Sequence, residues 1–272
     1  MSRKVEGGLR TQGSFKESYD DQPLISIITV VYNGDKYLEE TIKSVINQTY
    51  DNVEYIIIDG GSNDGTLDII KRYDDQIDYW LSEKDNGIYY AMNKGLTLIS
   101  GDWVNLMNSG DEFYNNETLS DINFDKISTC IIFGKAYIYY KDQNFIRSSD
   151  FHLGKGKKTP PNHQAVFVSK KIYKTILYDT TYKYSADSVY LKKIFSKFSF
   201  QEVDMIINKF ELGGVSNFYG TYKVFKGITY DHIKMSGTII KPIMVNSVKF
   251  FLQKVMGIDS YLKFFIKYIV KK

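Results

Sequence analysis

The sequence has a single cysteine, Cys130, so no disulfide can form within the chain and nothing asks for an oxidising compartment. Its three histidines, His152, His163 and His232, stand far apart, and with one thiol they offer no zinc-site spacing. A metal held here must therefore take oxygen ligands. No unbroken apolar run reaches the roughly 18–20 residues that a membrane span needs. Met1–Asp20 is polar and lacks an apolar signal core, which points to a cytoplasmic address.

Several site motifs are absent too. There is no G-x-x-x-x-G-K-[ST], so a P-loop has no support, and no G-x-G-x-x-G follows the first apolar run, which weakens a nicotinamide or flavin reading. G-x-S-x-G is missing, which removes the common α/β-hydrolase signal. Asp59–Gly65 fails the calcium-loop pattern because Gly61 stands where the second oxygen ligand belongs.

What is present is an ordinary globular composition, 43% apolar and 25% charged over 272 residues, with room for a large core. The net charge of +3 is unevenly spread: Phe218–Lys272 carries ten lysines against two acids, +8, which leaves −5 for the remainder. Residues 1–22 read as a poorly ordered, flexible arm. Leu24–Val31 and Val53–Ile58 are short β-branched apolar runs of the kind buried on both faces of a parallel sheet. Between them Leu38, Ile42, Val45 and Ile46 recur on one helical face, and Thr66–Tyr73 is a second helical stretch. The pattern continues with a strand at Tyr79–Ser82, a helix at Ile88–Leu98 and a strand at Trp103–Met107. Farther on come strands at Cys130–Tyr140, Ala165–Val168 and Met205–Phe210, a basic loop at Gly154–Pro161 and a helix at Asp187–Phe198. The expected organisation is an α/β domain over 23–217 and a basic, amphipathic helical extension over 218–272.

In an open parallel sheet, ligands bind beyond the carboxyl ends of the strands. Here those ends read Tyr32-Asn33, Asp59-Gly60-Gly61-Ser62, Glu83-Lys84-Asp85-Asn86-Gly87 and Asn108-Ser109-Gly110-Asp111. Turn chemistry alone favours Asp, Asn and Gly at such places, but four ends in succession suggest one crevice. A carboxylate-rich crevice without a phosphate-cradling glycine loop can hold a diphosphate by recruiting a divalent cation. Asp111, just past a buried strand, is the best-placed ligand.

Ile25–Gly34 (ISIITVVYNG), Tyr55–Thr66 (YIIIDGGSNDGT), Ser82–Gly95 (SEKDNGIYYAMNKG) and Gly101–Asp111 (GDWVNLMNSGD) resemble successive motifs of glycosyltransferase family 2. Asn162–Val168 (NHQAVFV), Tyr184–Leu191 (YSADSVYL) and Phe210–Asn217 (FELGGVSN) are similar to its bacterial branch assembling polysaccharides of the O-antigen and colanic-acid type. The resemblance implies the GT-A fold, a mixed, mostly parallel sheet flanked by helices, with a nucleotide-sugar donor, Mn2+ or Mg2+, and inversion at the anomeric carbon. Matched position by position, the resemblance sets Val30 and Tyr32 at positions that contact the nucleobase. Asp59 matches the carboxylate that accepts a hydrogen bond from a uracil ring nitrogen, which favours uridine or thymidine over adenosine and a UDP-sugar first, and Asp85 falls in the loop that approaches the nucleoside. Asp111 matches the last carboxylate of the metal motif. Asn108 and Gly110 stand within that donor site where relatives often carry acids, leaving Asp111 as the one charged metal ligand. Gly60 replaces a second acid. Asp187 matches the general base, which takes the proton of the attacking hydroxyl, although an acid in a helix's first turn is also favoured by the macrodipole. His163 is placed to line an acceptor pocket.

In the extension, Met244, Val248, Phe251, Leu252 and Val255 share one helical face, and Lys263, Lys267 and Lys271 recur every four residues among apolar ones. This is the composition of helices lying at an anionic membrane surface. The alternative is that the apolar stripe packs on the catalytic domain. The expectation is a peripheral protein on the inner face of the plasma membrane, extending a glycan or a polyprenyl-diphosphate-linked acceptor, with no nucleic-acid partner. Two other readings compete. A nucleotidyltransferase calls for a basic, glycine-rich loop after the first strand, where Asn33-Gly34-Asp35 is short and acidic. A non-catalytic nucleotide-sugar or glycan-binding module with a decayed metal site would explain Asn108 and Gly110.

Overall fold

The computed structural model describes residues 4–149, 160–212 and 222–265. The expected basic loop at 154–161 lies almost wholly outside them, as do the end of the 210–217 motif and Lys267 and Lys271. Ten strands make one sheet: β1 (Val5–Gly7), β2 (Ile25–Val31), β3 (Val53–Asp59), β4 (Tyr79–Ser82), β5 (Trp103–Leu106), β6 (Asp111–Phe113), β7 (Ile131–Tyr140), β8 (Gln143–Arg147), β9 (Val166–Ser169) and β10 (Phe200–Glu211). Their order is β1-β4-β3-β2-β5-β9-β7-β10-β6, with β8 folded back on β7. The helices are α1 (Leu38–Ile46), α2 (Thr66–Arg72), α3 (Ile88–Leu98), the single turn α4 (Lys170–Tyr173), α5 (Ala186–Phe195), α6 (Tyr222–Ser236), α7 (Ile240–Met256) and α8 (Ile258–Phe265).

The two apolar runs form the centre of the sheet because neither has a polar face to offer water. Every residue of β2 and β3 is buried. Ile28, Val30, Ile56 and Ile58 point to one side, where α3 and α5 bring Met92, Leu96, Leu191 and Ile194. Ile25, Ile27, Val31 and Ile57 point to the other, under Leu38, Ile42 and Val45 of α1 and Ile69 and Ile70 of α2. Each such side chain contributes about 1.5–3 kcal/mol through burial. Helix α3 approaches β2 so closely that a Cβ on Gly95 would lie 2.7 Å from Ile28 Cγ2. Only glycine fits there without repacking.

The sheet is mixed, as expected, and by residues paired its parallel ladders are the larger part. They join β2 to β3 and β5, β3 to β4, and β7 to β10. The other five pairings are antiparallel. The reading of residues 1–22 as a poorly ordered arm is corrected for its described part, residues 4–22. Val5–Gly7 pairs antiparallel with β4, and Arg10 reaches across the sheet to the buried Glu54 while donating to Leu98 O at 2.6 Å. A charged donor meeting a buried carboxylate anchors the segment, which local composition does not reveal. β10 also begins five residues before the expected strand, since Phe200–Asp204 carries three polar residues.

Candidate active site

The parallel strands β2, β3, β4 and β5 end on the same edge, and their loops are tied to one another. Asn33, in the left-handed region at φ 52°, accepts at Oδ1 from Asn63 N at 3.0 Å, and its own N–H donates to Ser62 Oγ at 2.7 Å. Gly34 N donates to Thr66 Oγ1 at 2.9 Å and Asp35 N to Asp64 Oδ2 at 3.2 Å. These cross-ties fix the walls of a cavity of about 900 Å³ lined by Val30, Tyr32, Gly60, Asp85 and Asn108 among others. Tyr32 is 64% exposed at its rim, an aromatic face free to stack on a planar ring.

Asp59 is not in that wall. It is fully buried, and its carboxylate accepts from Ser62 N at 3.1–3.2 Å, Ser62 Oγ at 2.5 Å and Ser82 Oγ at 2.6 Å. It organises the 59–62 loop, so direct contact with a base, as the sequence suggests, is not what this arrangement offers. Two carboxylates line the cavity, Glu83, which pairs with Lys94, and Asp85. Asp85 accepts from Gly87 N at 2.8 Å, and burial raises its pKa against the lowering effect of that N–H and of Lys94. A Cβ on residue 60 would sit 2.8 Å from Asp85 Oδ2, which accounts for glycine at a position where the family resemblance implies an acid.

A second cavity, of about 510 Å³, adjoins the first through Ile88, Asn108 and Ser109. Asp111, His163 and Asp187 all line it, so residues 76 positions apart in sequence (111 and 187) face one space. Asp111 arrives there because β6 is zipped to the end of β10, Asp111 opposite Phe210. Gly110, at φ 96°, makes the turn that returns the chain, its N–H donating to Thr41 Oγ1 at 2.9 Å. It shapes the turn and lies outside the lining of both cavities. Burial lifts the Asp111 carboxyl to a pKa of about 7, with the amide of Gln164 pulling it down and Glu112 pushing it up. Gln164 Nε2 donates to Asp111 Oδ2 at 2.7 Å.

Asp187 stands in the first turn of α5. Tyr89 of α3 donates its hydroxyl proton to Asp187 Oδ1 at 3.1 Å and lies flat against Tyr178, ring centroids 6.0 Å apart. His163 Nε2 meets Tyr178 Oη at 2.6 Å, and burial depresses the imidazole pKa, partly countered by Asp187. Its ring is therefore braced by Tyr178 as well as facing the cavity. The roles of Gln164, Tyr89 and Tyr178 cannot be read from the sequence, since they act on residues 53, 98 and 15 positions away. Arg147 and Glu211 complete the wall.

No cluster of three or more His, Cys, Asp or Glu side chains is present among the described residues. The oxygen donors beside Asp111 are Asn108 Oδ1 and Ser109 Oγ, both buried without a hydrogen-bond partner. Orphaned buried oxygens next to a carboxylate fit a hard divalent cation whose remaining ligands come from substrate phosphates and water.

Residues 26–199, more than half the chain, match Glycosyl transferase family 2. An uncharacterized glycosyltransferase of Mycobacterium tuberculosis is 31% identical over 179 residues, 62% of this chain and 68% of that one. TuaG of Bacillus subtilis, named for teichuronic acid biosynthesis, is 34% identical over 112 residues, 40% of this chain and 44% of TuaG. The match to an uncharacterized glycosyltransferase of Rickettsia typhi, 39% identical over 37% of this chain, spans only 31% of that relative's length. In three dimensions the chain is similar to S. aureus TarS 1-349 in complex with UDP-GlcNAc, with a TM-score of 0.61 at 18% identity over 91% of this chain and 77% of that one. The mannosyltransferase PcManGT of Pyrobaculum calidifontis, in complex with GDP-Man and Mn2+, gives 0.57 at 13% identity over 90% and 74%. These neighbours share the GT-A fold. With its loops gathered at one sheet edge, its fold and its sequence in agreement, the chain belongs to glycosyltransferase family 2.

Proposed function

We propose that this chain is an inverting, metal-dependent glycosyltransferase that moves a sugar from a UDP-sugar to a hydroxyl of a glycan or polyprenyl-diphosphate-linked acceptor, in bacterial surface polysaccharide synthesis on the inner face of the membrane. The observation that carries this reading is the pair of adjoining cavities, with Asp111 and Asp187 in the wall of the second. The nucleoside occupies the larger cavity, its base stacked on Tyr32 and flanked by Val30 and Asp85. Asp111, with Asn108 and Ser109, would hold Mn2+ or Mg2+, which when bound would offset the charge of the leaving diphosphate. TarS structures with UDP and UDP-GlcNAc support a uridine donor, and that of PcManGT with GDP-Man and Mn2+ supports a divalent cation.

Asp187 accepts the proton of the acceptor hydroxyl as its oxygen attacks the anomeric carbon, and the glycosidic bond to the diphosphate breaks on the opposite face. Such general-base help is worth about 10²–10⁴-fold. With Oδ1 engaged by Tyr89, Oδ2 is the oxygen presented to the hydroxyl. His163 lines the acceptor side. The test is release of nucleoside diphosphate from UDP-, dTDP- and GDP-sugars with Mn2+, Mg2+ or EDTA, beside calorimetric binding of UDP with Mn2+. Metal-dependent turnover of one donor, lost in Asp111→Ala and Asp187→Asn, is expected. UDP binding without turnover on any acceptor would leave a binding module, and no nucleotide binding with metal present would overturn the donor site.

A further inference from the structure

Helix α7 is built inside out. Five apolar residues, Ile240, Met244, Val248, Phe251 and Val255, are 58–75% exposed. Its buried positions are Pro242, Asn246 and Gln253. At about 100° per residue the five apolar side chains fall within an arc of roughly 80°, a continuous stripe along a helix of 17 residues. The opposite face looks inward with its polar groups satisfied: Asn246 Nδ2 lies 3.2 Å from Thr229 Oγ1 and 3.1 Å from His232 Nδ1, both on α6. The register is thus pinned by hydrogen bonds to α6, and turning the stripe inward would break them. The possibility that the apolar stripe packs on the catalytic domain is not what the structure shows.

An apolar stripe of this extent implies an occupant, and charge selects which. Lys241 and Lys254 flank the stripe and are exposed. Residues 222–265 hold seven lysines against two aspartates, a net of +5. Neither aspartate offsets that charge at the surface. Asp231 is buried and accepts from Tyr184 N at 2.7 Å, and Asp259 pairs with Lys141 at 2.9 Å. Two copies packed through this face would set like charges against each other, whereas an anionic bilayer neutralises them. No helix among the described residues is long and apolar enough to cross a membrane, so the geometry is that of a helix lying in the interface.

We propose that the Ile240–Val255 face of α7 is a membrane-docking surface that seats on anionic phospholipid, its apolar stripe entering the headgroup boundary while Lys241 and Lys254 meet lipid phosphates. This deepens the membrane part of the function proposed above and rests on it for its purpose, but its test needs no catalysis. Binding takes two contributions, and neither alone suffices: insertion of the stripe, and attraction of about fivefold to tenfold per lysine.

The test is co-sedimentation of the full chain, without nucleotide, with phosphatidylcholine vesicles and with vesicles also containing phosphatidylglycerol. The variants are Val248→Ser/Phe251→Ser and Lys241→Glu/Lys254→Glu, each checked for unchanged circular dichroism and thermal midpoint. The full chain is expected to pellet with the phosphatidylglycerol vesicles alone and to be released by high salt, and each double variant to bind at least about tenfold more weakly. Equal binding by the serine variant, or no binding by the full chain, overturns the proposal. So does a dimer in sedimentation velocity that the serine variant dissociates, which would make a second copy the occupant. Loss of sugar transfer with vesicle binding intact would count against the catalytic reading only.

Discussion

Replacing Arg10 by alanine should destabilise the whole domain, although Arg10 lies in what reads as a polar leader. Glu54, at the second position of β3, has a side chain 1% exposed, and Arg10's is 14% exposed. The carboxylate also accepts from Ser26 Oγ at 2.5 Å, Ser100 Oγ at 2.5 Å and Ser100 N at 2.9 Å. Without the guanidinium those neutral donors remain, but a charge is left in the sheet with no counter-ion, a change that costs about 3–5 kcal/mol. Unfolding entropy of about 2.1 cal/mol/K per residue gives a 272-residue chain about 0.6 kcal/mol/K. The thermal midpoint should therefore fall by roughly 5–9 °C in scanning calorimetry. Adding Glu54→Gln to Arg10→Ala removes the stranded charge and should recover part of the loss, a coupling that a double-mutant cycle reads directly. A midpoint for Arg10→Ala within about 1 °C of the parent would refute the reasoning, because an ion pair this enclosed cannot be broken so cheaply.

Tyr89→Phe should lower kcat by roughly tenfold with donor KM unchanged, less than the 10²–10⁴-fold expected of Asp187→Asn, because the base loses one orienting hydrogen bond and keeps its carboxylate; an equal fall in binding of UDP with Mn2+ would place Tyr89 in the donor site instead. Gly95→Ala should cost about 1–3 kcal/mol by overpacking α3 on Ile28, seen as a lower urea midpoint with an unchanged m-value. In the metal-free protein the neutral form of Asp111 is favoured on folding, its pKa raised from 3.8 to about 7. Its contribution is full below the unfolded pKa and is lost as pH rises through about 7, so Asp111→Asn should gain stability relative to the parent between about pH 4 and pH 7. Thermal midpoints in EDTA at the two ends of that window check the sign.

Much of the sheet is legible because its centre has no ambiguity of face. An apolar run such as ISIITVV can only be buried on both sides, and the Asn-Gly or Asp-Gly punctuation after β2, β3 and β4 marks where each strand stops. The strands at Tyr79–Ser82 and the helix at Ile88–Leu98 lie where the sequence puts them. β1 escapes notice because Val5–Gly7 is too short for any period, and it pairs with a strand more than seventy residues on. In the site, Asp111 and Asp187 can be picked out as acids at element ends, but not the partners that decide what they do. Gln164 reaches Asp111 across 53 positions and Tyr89 reaches Asp187 across 98. Asp59 shows the converse: a carboxylate at a strand end looks available until Ser82, 23 positions on at the end of the neighbouring strand, closes on it. For α7 the period reveals the stripe, while its direction depends on Thr229 and His232, which the helix itself does not contain.

The cross-ties between the loops at 32–35 and 59–66 make the two ends of the crevice unlike in stiffness. At the larger cavity the shape is set before any ligand arrives, so little ordering entropy is lost on binding and selectivity resides in fixed contours. At the smaller cavity the walls come from separate excursions of the chain, around Arg147, Pro160–Gln164 and Phe210–Glu211. Change can therefore accumulate in one half without disturbing the other. A protein built this way can be redirected to a new partner by rewriting three short surface segments, while the part that grips the common handle stays as it is.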